Sequence, residues 1–274
     1  MAADLVLRTE FEGVLQLTLN RPEKLNALNA EMFAALRAGV DDLRRRKDLR
    51  VLLITAKGRY FSSGVDLTDG STTAAGQIDG AAHARSWMRV DMLGMHALYE
   101  EMERVEKPIV VAHQAPCLGG GLELSLSCDF RLAARNAAYG FPEMKFGMLP
   151  LSGGVNRLTH LCGAQWAKWL AMAGQTVSAE RALLMGLVQE VYPDETFEAE
   201  TRAFCVALAK QPAEAMAAAK LVLGMIPEMG NEQGRQLERL TFSTLTNTRD
   251  RAELSQQHRA RLNRNAQPED EGTS

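Results

Sequence analysis

The sequence predicts an α/β protein, and three observations carry that prediction. Short apolar segments of strand length alternate with segments of helical periodicity, which is the pattern left by crossover connections in a largely parallel sheet. The order strand, helix, strand, loop over residues 14–66 returns in outline over residues 109–133, with no identical stretch between the two. The chain has 274 residues, of which 46% are hydrophobic and 24% charged. That is the make-up of a globular chain long enough for one large core with a smaller appended element.

The elements follow in order. Val14 to Leu19 alternates apolar and polar residues as a strand does and runs into the turn Asn20-Arg21-Pro22. Asn29 stands as an N-cap ahead of Phe33, Leu36, Val40 and Leu43, which share one helical face. Val51 to Thr55 is nearly all apolar, which suits a strand buried on both faces, and it leads into the loop KGRYFSSGVDL. Thr68 to Val90 begins with small and polar residues, the composition of a surface loop, and could serve as a lid. Pro108 then opens the strand Ile109 to Ala112. A loop reaches Gly119-Gly120-Gly121, a helix follows through Leu122 and Leu126, and Phe130 to Ala133 is another short strand. In TVSAERALLMGLVQEVYP, Ser178 is placed as an N-cap with Arg181, Leu184 and Leu187 following and Gly186 near the helix end. From Phe197 onward the pattern is helical and rich in Ala, Met and Leu, and the terminal RNAQPEDEGTS has the composition of a disordered tail.

Charge and cysteine usage exclude several classes. The 31 Lys and Arg stand against 34 Asp and Glu, a net charge of −3, which gives no field for binding nucleic acid or anionic lipid. Cys117, Cys128, Cys162 and Cys205 form no CxxC pair and, with the five histidines, no cluster at zinc-ligand spacing. A reduced, cytoplasmic chain without a metal site is expected. No apolar run approaches roughly 18 residues, and the N-terminal MAADLVLRTEFEG has acids where a signal peptide has bases. Membrane spanning and secretion are therefore not expected.

Three segments could carry chemistry. GGGLELSLSCD follows an apolar strand and opens a helix, so free backbone N–H groups and the positive helix end meet at an exposed point. A dinucleotide fingerprint fails there, because the sixth position from Gly119 is Leu124, and no Walker lysine follows. The alternative is a tight strand-to-helix turn, for which two glycines suffice. Glu123 lies in the first turn of that helix and Glu143 in the loop AYGFPEMKFG. Each alone fits a solvated surface acid, and the two matter only if the fold joins them. In RYFSSGVDL the serines lack a G-x-S-x-G elbow, and His83, His96 and His160 stand in contexts that single out no partner, so the loop backbone is the better candidate than its side chains.

These segments, in this order, resemble the crotonase superfamily, the enoyl-CoA hydratases and isomerases. The resemblance spans about residues 10–195. It runs through LNRPEKLNALN, RYFSSGVDL, KPIVVAHQAPCLGGGLELSLSCDFRLAA, AYGFPEMKFGMLPLSGGVNRLTHLCG and GQTVSAERALLMGLVQEVYP. It implies a spiral of repeated ββα units over residues 1–195 and a helical trimerisation region over 196–263. Residues 264–274 remain as a tail. A homotrimer or a dimer of trimers is the implied assembly.

The resemblance also implies a site. The backbone N–H groups of Val65 and Gly120 would hold the thioester oxygen of an acyl-CoA, and Glu123 and Glu143 would act on water at C3 and on the proton at C2. Arg21, Lys24, Ala27, Ser63 and Asp66 would border the CoA. No separate cofactor is expected, since CoA is part of the substrate. The implied reaction is hydration of a trans-2-enoyl-CoA to a 3-hydroxyacyl-CoA, a lyase reaction of fatty-acid or related acyl-CoA metabolism. The alternatives are Δ3,Δ2-enoyl-CoA isomerisation, or a specialised paralogue acting on an aromatic or branched acyl-CoA. A more distant one is a non-catalytic RNA-binding member using the basic run RRRKDLR from Arg44 to Arg50. This chain departs from the family pattern at His113-Gln114, where relatives have Asn-Gly, and at Ser63, where they have Ala.

Overall fold

The computed structural model describes residues 4–69, 80–90, 93–248, 251–253, 255, 256, 258 and 259. The chain divides into two compact units, Met1–Lys210 and Gln211–Ser274. In the first unit the elements run β1 (Val6–Phe11), β2 (Val14–Leu19), α1 (Ala30–Arg45), β3 (Val51–Ala56), α2 (Gly80–Val90), α3 (Leu93–Arg104), β4 (Ile109–His113), β5 (Cys117–Leu118) and α4 (Gly120–Leu126). They continue with β6 (Phe130–Ala134), β7 (Ala138–Gly140), α5 (Gly154–Ala167), β8 (Val177–Ser178), α6 (Ala179–Leu184), β9 (Glu190–Tyr192) and α7 (Phe197–Ala209).

Among the described residues a six-stranded sheet has the order β1-β2-β3-β4-β6-β9, and a three-stranded one the order β5-β7-β8. In the larger sheet only the β1–β2 pair is antiparallel; from β2 to β9 the neighbours are parallel, with Leu15 opposite Leu52 and Ile54 opposite Val111. The nearly continuous apolar runs of β3 and β4 follow from burial on both faces. Leu52, Ile54, Ile109 and Val111 face a core shared with α1, α3 and α4. Their neighbours Val51, Leu53, Val110 and Ala112 face Phe197, Cys205 and Ala209 of α7. Each such side chain taken from water is worth roughly 1.5–3 kcal/mol.

Several expectations change. β1 is an additional strand whose middle residues Arg8, Thr9 and Glu10 are exposed, so it carries no apolar alternation; Glu12 and Gly13, both at positive φ, turn it into β2. The α1 face is built on Met32, Leu36, Gly39, Val40 and Leu43, with Phe33 half-buried, and the Asn29 side chain accepts from the Met32 N–H as the cap. Gly39 is where Leu17 presses in, since a β-carbon there would lie 2.4 Å from Leu17 Cδ1. The expected surface loop 68–90 is helical over Gly80–Val90, where alanines follow one another closely; residues 70–79 of the suggested lid lie outside the described residues. In α6 the inward residues are Ala179 and Ala182, while Leu184 is 86% exposed and Leu187 is buried only after Gly186 has ended the helix at φ +78. The Ser178 cap holds, with its hydroxyl accepting from the Arg181 N–H at 3.3 Å.

The second unit contains α8 (Ala213–Met225) and α9 (Asn231–Leu245), packed on each other through a short turn at Ile226–Glu228. Leu221, Leu223, Leu240 and Phe242 are exposed. The tail 264–274 lies outside the described residues. No helix among the described residues is long and apolar enough to cross a membrane.

RYFSSGVDL leaves the C-terminal end of β3 in the larger sheet, while the Gly119–Gly121 run follows β5 and the Glu143 segment follows β7, a parallel pair in the smaller sheet. In α/β sheets clefts form at the C-terminal ends of parallel strands.

Candidate active site

The loop after β3 is held by side chains of the turn before α1. Buried Asn26, itself at φ +51, donates its side-chain amide to Lys57 O at 2.8 Å and Tyr60 O at 2.9 Å, and its Oδ1 accepts from the Arg21 N–H at 2.8 Å. Gln114 adds donations to Gly58 O and Tyr60 O. Leu28 then pairs with the loop in a parallel bridge: its N–H donates to Gly64 O, and the Asp66 N–H donates to Leu28 O. In a parallel bridge the residue between those two points its own amide to the other side. The Val65 N–H is thereby turned away from Leu28, toward the glycine run.

That run approaches so closely that side chains are excluded. A β-carbon on Gly120 would lie 2.6 Å from Val65 Cγ2 and 3.1 Å from Val65 N; one on Gly121 would lie 2.6 Å from Ser62 Cβ; one on Gly119 would lie 2.8 Å from Glu143 Oε1. Gly120 and Gly121 are therefore required by contact, beyond what a turn alone asks. Gly119 has φ +52 and ψ −131, a conformation open mainly to glycine. Gly120 opens α4, where no helical carbonyl is available to its N–H. Two backbone donors, Val65 and Gly120, thus stand on facing segments at one point.

Glu123 and Glu143 come to the same place. Glu123 is only 3% exposed, which excludes the alternative of a solvated surface acid. Its Oε1 accepts from the Ser152 N–H at 2.8 Å. Burial pushes its pKa up, opposed by the backbone N–H groups of Ser152 and Gly154 and by the Arg157 cation. Glu143 sits in a 3-10 turn, Pro142–Phe146, half-buried. Its carboxyl is pushed up to about 7, first by burial and further by the negative charge of Glu123. Its Oε2 is buried with no hydrogen-bond partner. The negative charge of each carboxylate favours the proton on the other, and both are raised from their ordinary range.

The other positions divide. Arg21 is turned inward: its Nη1 donates to Asp66 Oδ2 at 2.6 Å and to Ala27 O at 3.1 Å. The Thr68 hydroxyl and Arg21 hold Asp66 down to about 2. Arg21, Ala27 and Asp66 therefore brace one another. Lys24 is exposed, and half-buried Ser63 ties its N–H to Leu25 O. His113 is fully buried, its Nδ1 3.1 Å from the Tyr139 hydroxyl and its ring edge-on to Phe61. Burial holds its pKa down to about 3, so it is neutral. The basic run pairs with acids, Arg44 with Asp41 and Glu101, Arg45 with Asp41, and Arg46 with Glu10 and Asp48. Among the described residues no group of three His, Cys, Asp or Glu side chains could hold a metal ion.

Three participants escape a reading of residue types: Asn26, Tyr99 and Arg157. Tyr99 donates its buried hydroxyl to Gly120 O at 3.2 Å, and Arg157 Nη1 donates to Ser152 O at 2.8 Å.

Comparison with known proteins identifies the family. The 2,3-dehydroadipyl-CoA hydratase of Escherichia coli K12 is 30% identical over 242 residues, covering 88% of this chain and 90% of that protein. The 1,2-epoxyphenylacetyl-CoA isomerase of the same organism is 33% identical over 209 residues, covering 76% and 78%. The crystal structure of enoyl-CoA hydratase from Bacillus anthracis aligns with a TM-score of 0.85 at 27% identity, covering 94% of this chain and 96% of that one. Residues 9–263 match the enoyl-CoA hydratase/isomerase family model, and the chain belongs to that family, within the crotonase superfamily.

Proposed function

We propose that the protein hydrates a trans-2-enoyl-CoA to the 3-hydroxyacyl-CoA. The observation that carries this reading is the meeting of buried Glu123 with half-buried Glu143, whose Oε2 is shielded, at the glycine run that bears the Gly120 N–H. The thioester oxygen accepts from the Val65 and Gly120 N–H groups. As water attacks C3, negative charge moves onto that oxygen, and each preorganised donor lowers the barrier by about 3 kcal/mol. Glu123, held as an acceptor by the Ser152 N–H, orients the water and takes its proton. Glu143, protonated near neutral pH, delivers its proton to C2. The pair ends the turnover with its proton on Glu123, and exchange with solvent resets it. CoA arrives as part of the substrate, and Lys24 is the exposed cation of the turn available to its phosphates. The exposed apolar residues of α8 and α9 suit contact between copies in a trimer.

Isomerisation of a 3-enoyl-CoA is the second reading, favoured by Glu143, whose free Oε2 could move a proton between C2 and C4 unaided. A panel of enoyl-CoA thioesters separates the two, since hydration of a 2-enoyl-CoA removes conjugated absorbance and isomerisation of a 3-enoyl-CoA creates it. Under hydration Glu123→Gln and Glu143→Gln each lower kcat by at least about a hundredfold. If Glu123→Gln turns over at the wild-type rate while 3-enoyl-CoA is consumed, isomerisation takes its place.

A further inference from the structure

Two glycine turns carry the site, Gly119-Gly120-Gly121 and Gly153-Gly154, and glycine backbone has the most freedom to restrain. Each is pinned at one carbonyl by a side chain that starts from α3 or is gripped by it. Tyr99, fully buried, donates to Gly120 O at 3.2 Å. One helical turn further on, Glu103 takes Arg157 in a two-point ion pair, Nε to Oε1 at 2.5 Å and Nη2 to Oε2 at 2.8 Å. Arg157 Nη1 donates to Ser152 O at 2.8 Å, and the Ser152 N–H in turn donates to Glu123 Oε1 at 2.8 Å. A β-carbon on Gly153 would lie 2.2 Å from Arg157 Nη1, so the guanidinium fills the space that this glycine leaves.

Residues four apart on a helix share a face. We infer that α3 positions both halves of the active site at once, Tyr99 anchoring the Gly120 donor and Glu103 anchoring Glu123 through Arg157 and Ser152. This rests on the acyl-CoA reading above. Tyr99 and Glu103 are positioning residues, each acting through another group. A shift of α3 alters the oxyanion donor and the water-orienting carboxylate together, so strain on this helix reaches the reaction as a change in kcat.

The test uses the full-length protein and an enoyl-CoA conjugated to a para-aminophenyl ring, whose absorption moves to the red when its carbonyl is polarised. Tyr99→Phe keeps the packing and loses only the hydroxyl. It is expected to bind the chromophore normally, to show a smaller red shift, and to lower kcat about tenfold with KM changed by no more than about twofold. Glu103→Gln is expected to keep the full red shift while lowering kcat to a similar extent and displacing the pH profile of kcat. A purely structural role moves none of these readouts in folded, normally binding variants. A wild-type red shift that persists undiminished in Tyr99→Phe, or an unchanged kcat and pH profile in Glu103→Gln, overturns the coupling and leaves the acyl-CoA reading standing. A wild-type protein that gives no red shift on binding overturns the oxyanion-hole reading, and the coupling falls with it.

Discussion

Gly119 and Glu143 meet so closely that a β-carbon on the glycine would lie 2.8 Å from Glu143 Oε1. The carboxyl lies over the glycine run, shielded from water, and its pKa is pushed up to about 7 by burial and then by Glu123. A group whose folded pKa is raised holds its proton more tightly in the folded chain. Its ionisation therefore costs stability as pH rises from the ordinary carboxylate range through about 7. Glu143→Gln removes that cost: its Tm should exceed that of the wild type at about pH 8 and match it at about pH 4. In turnover the protonated form supplies C2, so kcat should fall as pH rises through about 7. A pH–rate profile flat from about pH 6 to 9, or a Tm gain independent of pH, would contradict this assignment.

The approach of the two donor segments gives a second expectation. Gly120→Ala places a methyl 2.6 Å from Val65 Cγ2 and 3.1 Å from Val65 N, so the Val65 and Gly120 amides must move apart. Loss of one well-placed oxyanion donor costs roughly a hundredfold in kcat, and the displacement should cost about as much. The far-UV circular dichroism should be unchanged, because Gly120 lies at a helix start. Turnover within a few fold of wild type would show that these two amides do not bind the reacting oxygen.

The brace between Arg21 and Asp66 predicts an acid-side effect. Asp66 is held down to about 2 by the Thr68 hydroxyl and Arg21, so its contribution to stability is present above the ordinary Asp pKa and is lost as pH falls through about 2. The two side chains are only 15% and 8% exposed, and a hydrogen bond to a charged group in such a place contributes about 1.5–3 kcal/mol. Asp66→Asn should lower urea-derived stability by that amount at neutral pH, with the difference disappearing at the acid end. A difference that grows on acidification would rule out the ion pair as its source.

How much of this was legible depended on whether the cause was local. β3 and β4 could be found because burial on both faces leaves no polar residue in the run from Ile109 to Ala112 and only Thr55 in that from Val51 to Thr55. β1 could not, because Arg8, Thr9 and Glu10 face water on an edge strand and only pairing with β2 makes them a strand. The glycine run was visible as residue types. The need for its third member arises from Ser62, far away in sequence, pressing against Gly121. Glu123 was ambiguous for a physical reason: an acid in a first helical turn suits the dipole whether it is buried or solvated. Its burial depends on Ser152 and Gly154 closing over it. Tyr99 lay hidden in a regular helical pattern, and nothing short of the fold joins its hydroxyl to Gly120.

The far end of α4 supplies the last expectation. Arg131, only 2% exposed, donates from Nε to Leu187 O at 2.7 Å and from Nη1 to Cys128 O at 2.6 Å and Ser125 O at 3.3 Å. Burial alone pulls its pKa down, and the three carbonyls compensate for that burial. Two of these carbonyls lie at or just beyond the C-terminal end of the helix that begins with Gly120 and carries Glu123, where a cation also meets the negative helix end. Arg131→Met keeps much of the volume but leaves the carbonyls unpaired in the core, at a cost of about 3 kcal/mol or more. For a chain of this size that is a fall in Tm of roughly 6–12 °C. Arg131→Lys, with one compact charge in place of the fork, should recover only part of it. Thermal unfolding followed by circular dichroism measures both variants, and a lysine variant as stable as the wild type would show that a single hydrogen-bonded cation suffices to hold this end of α4.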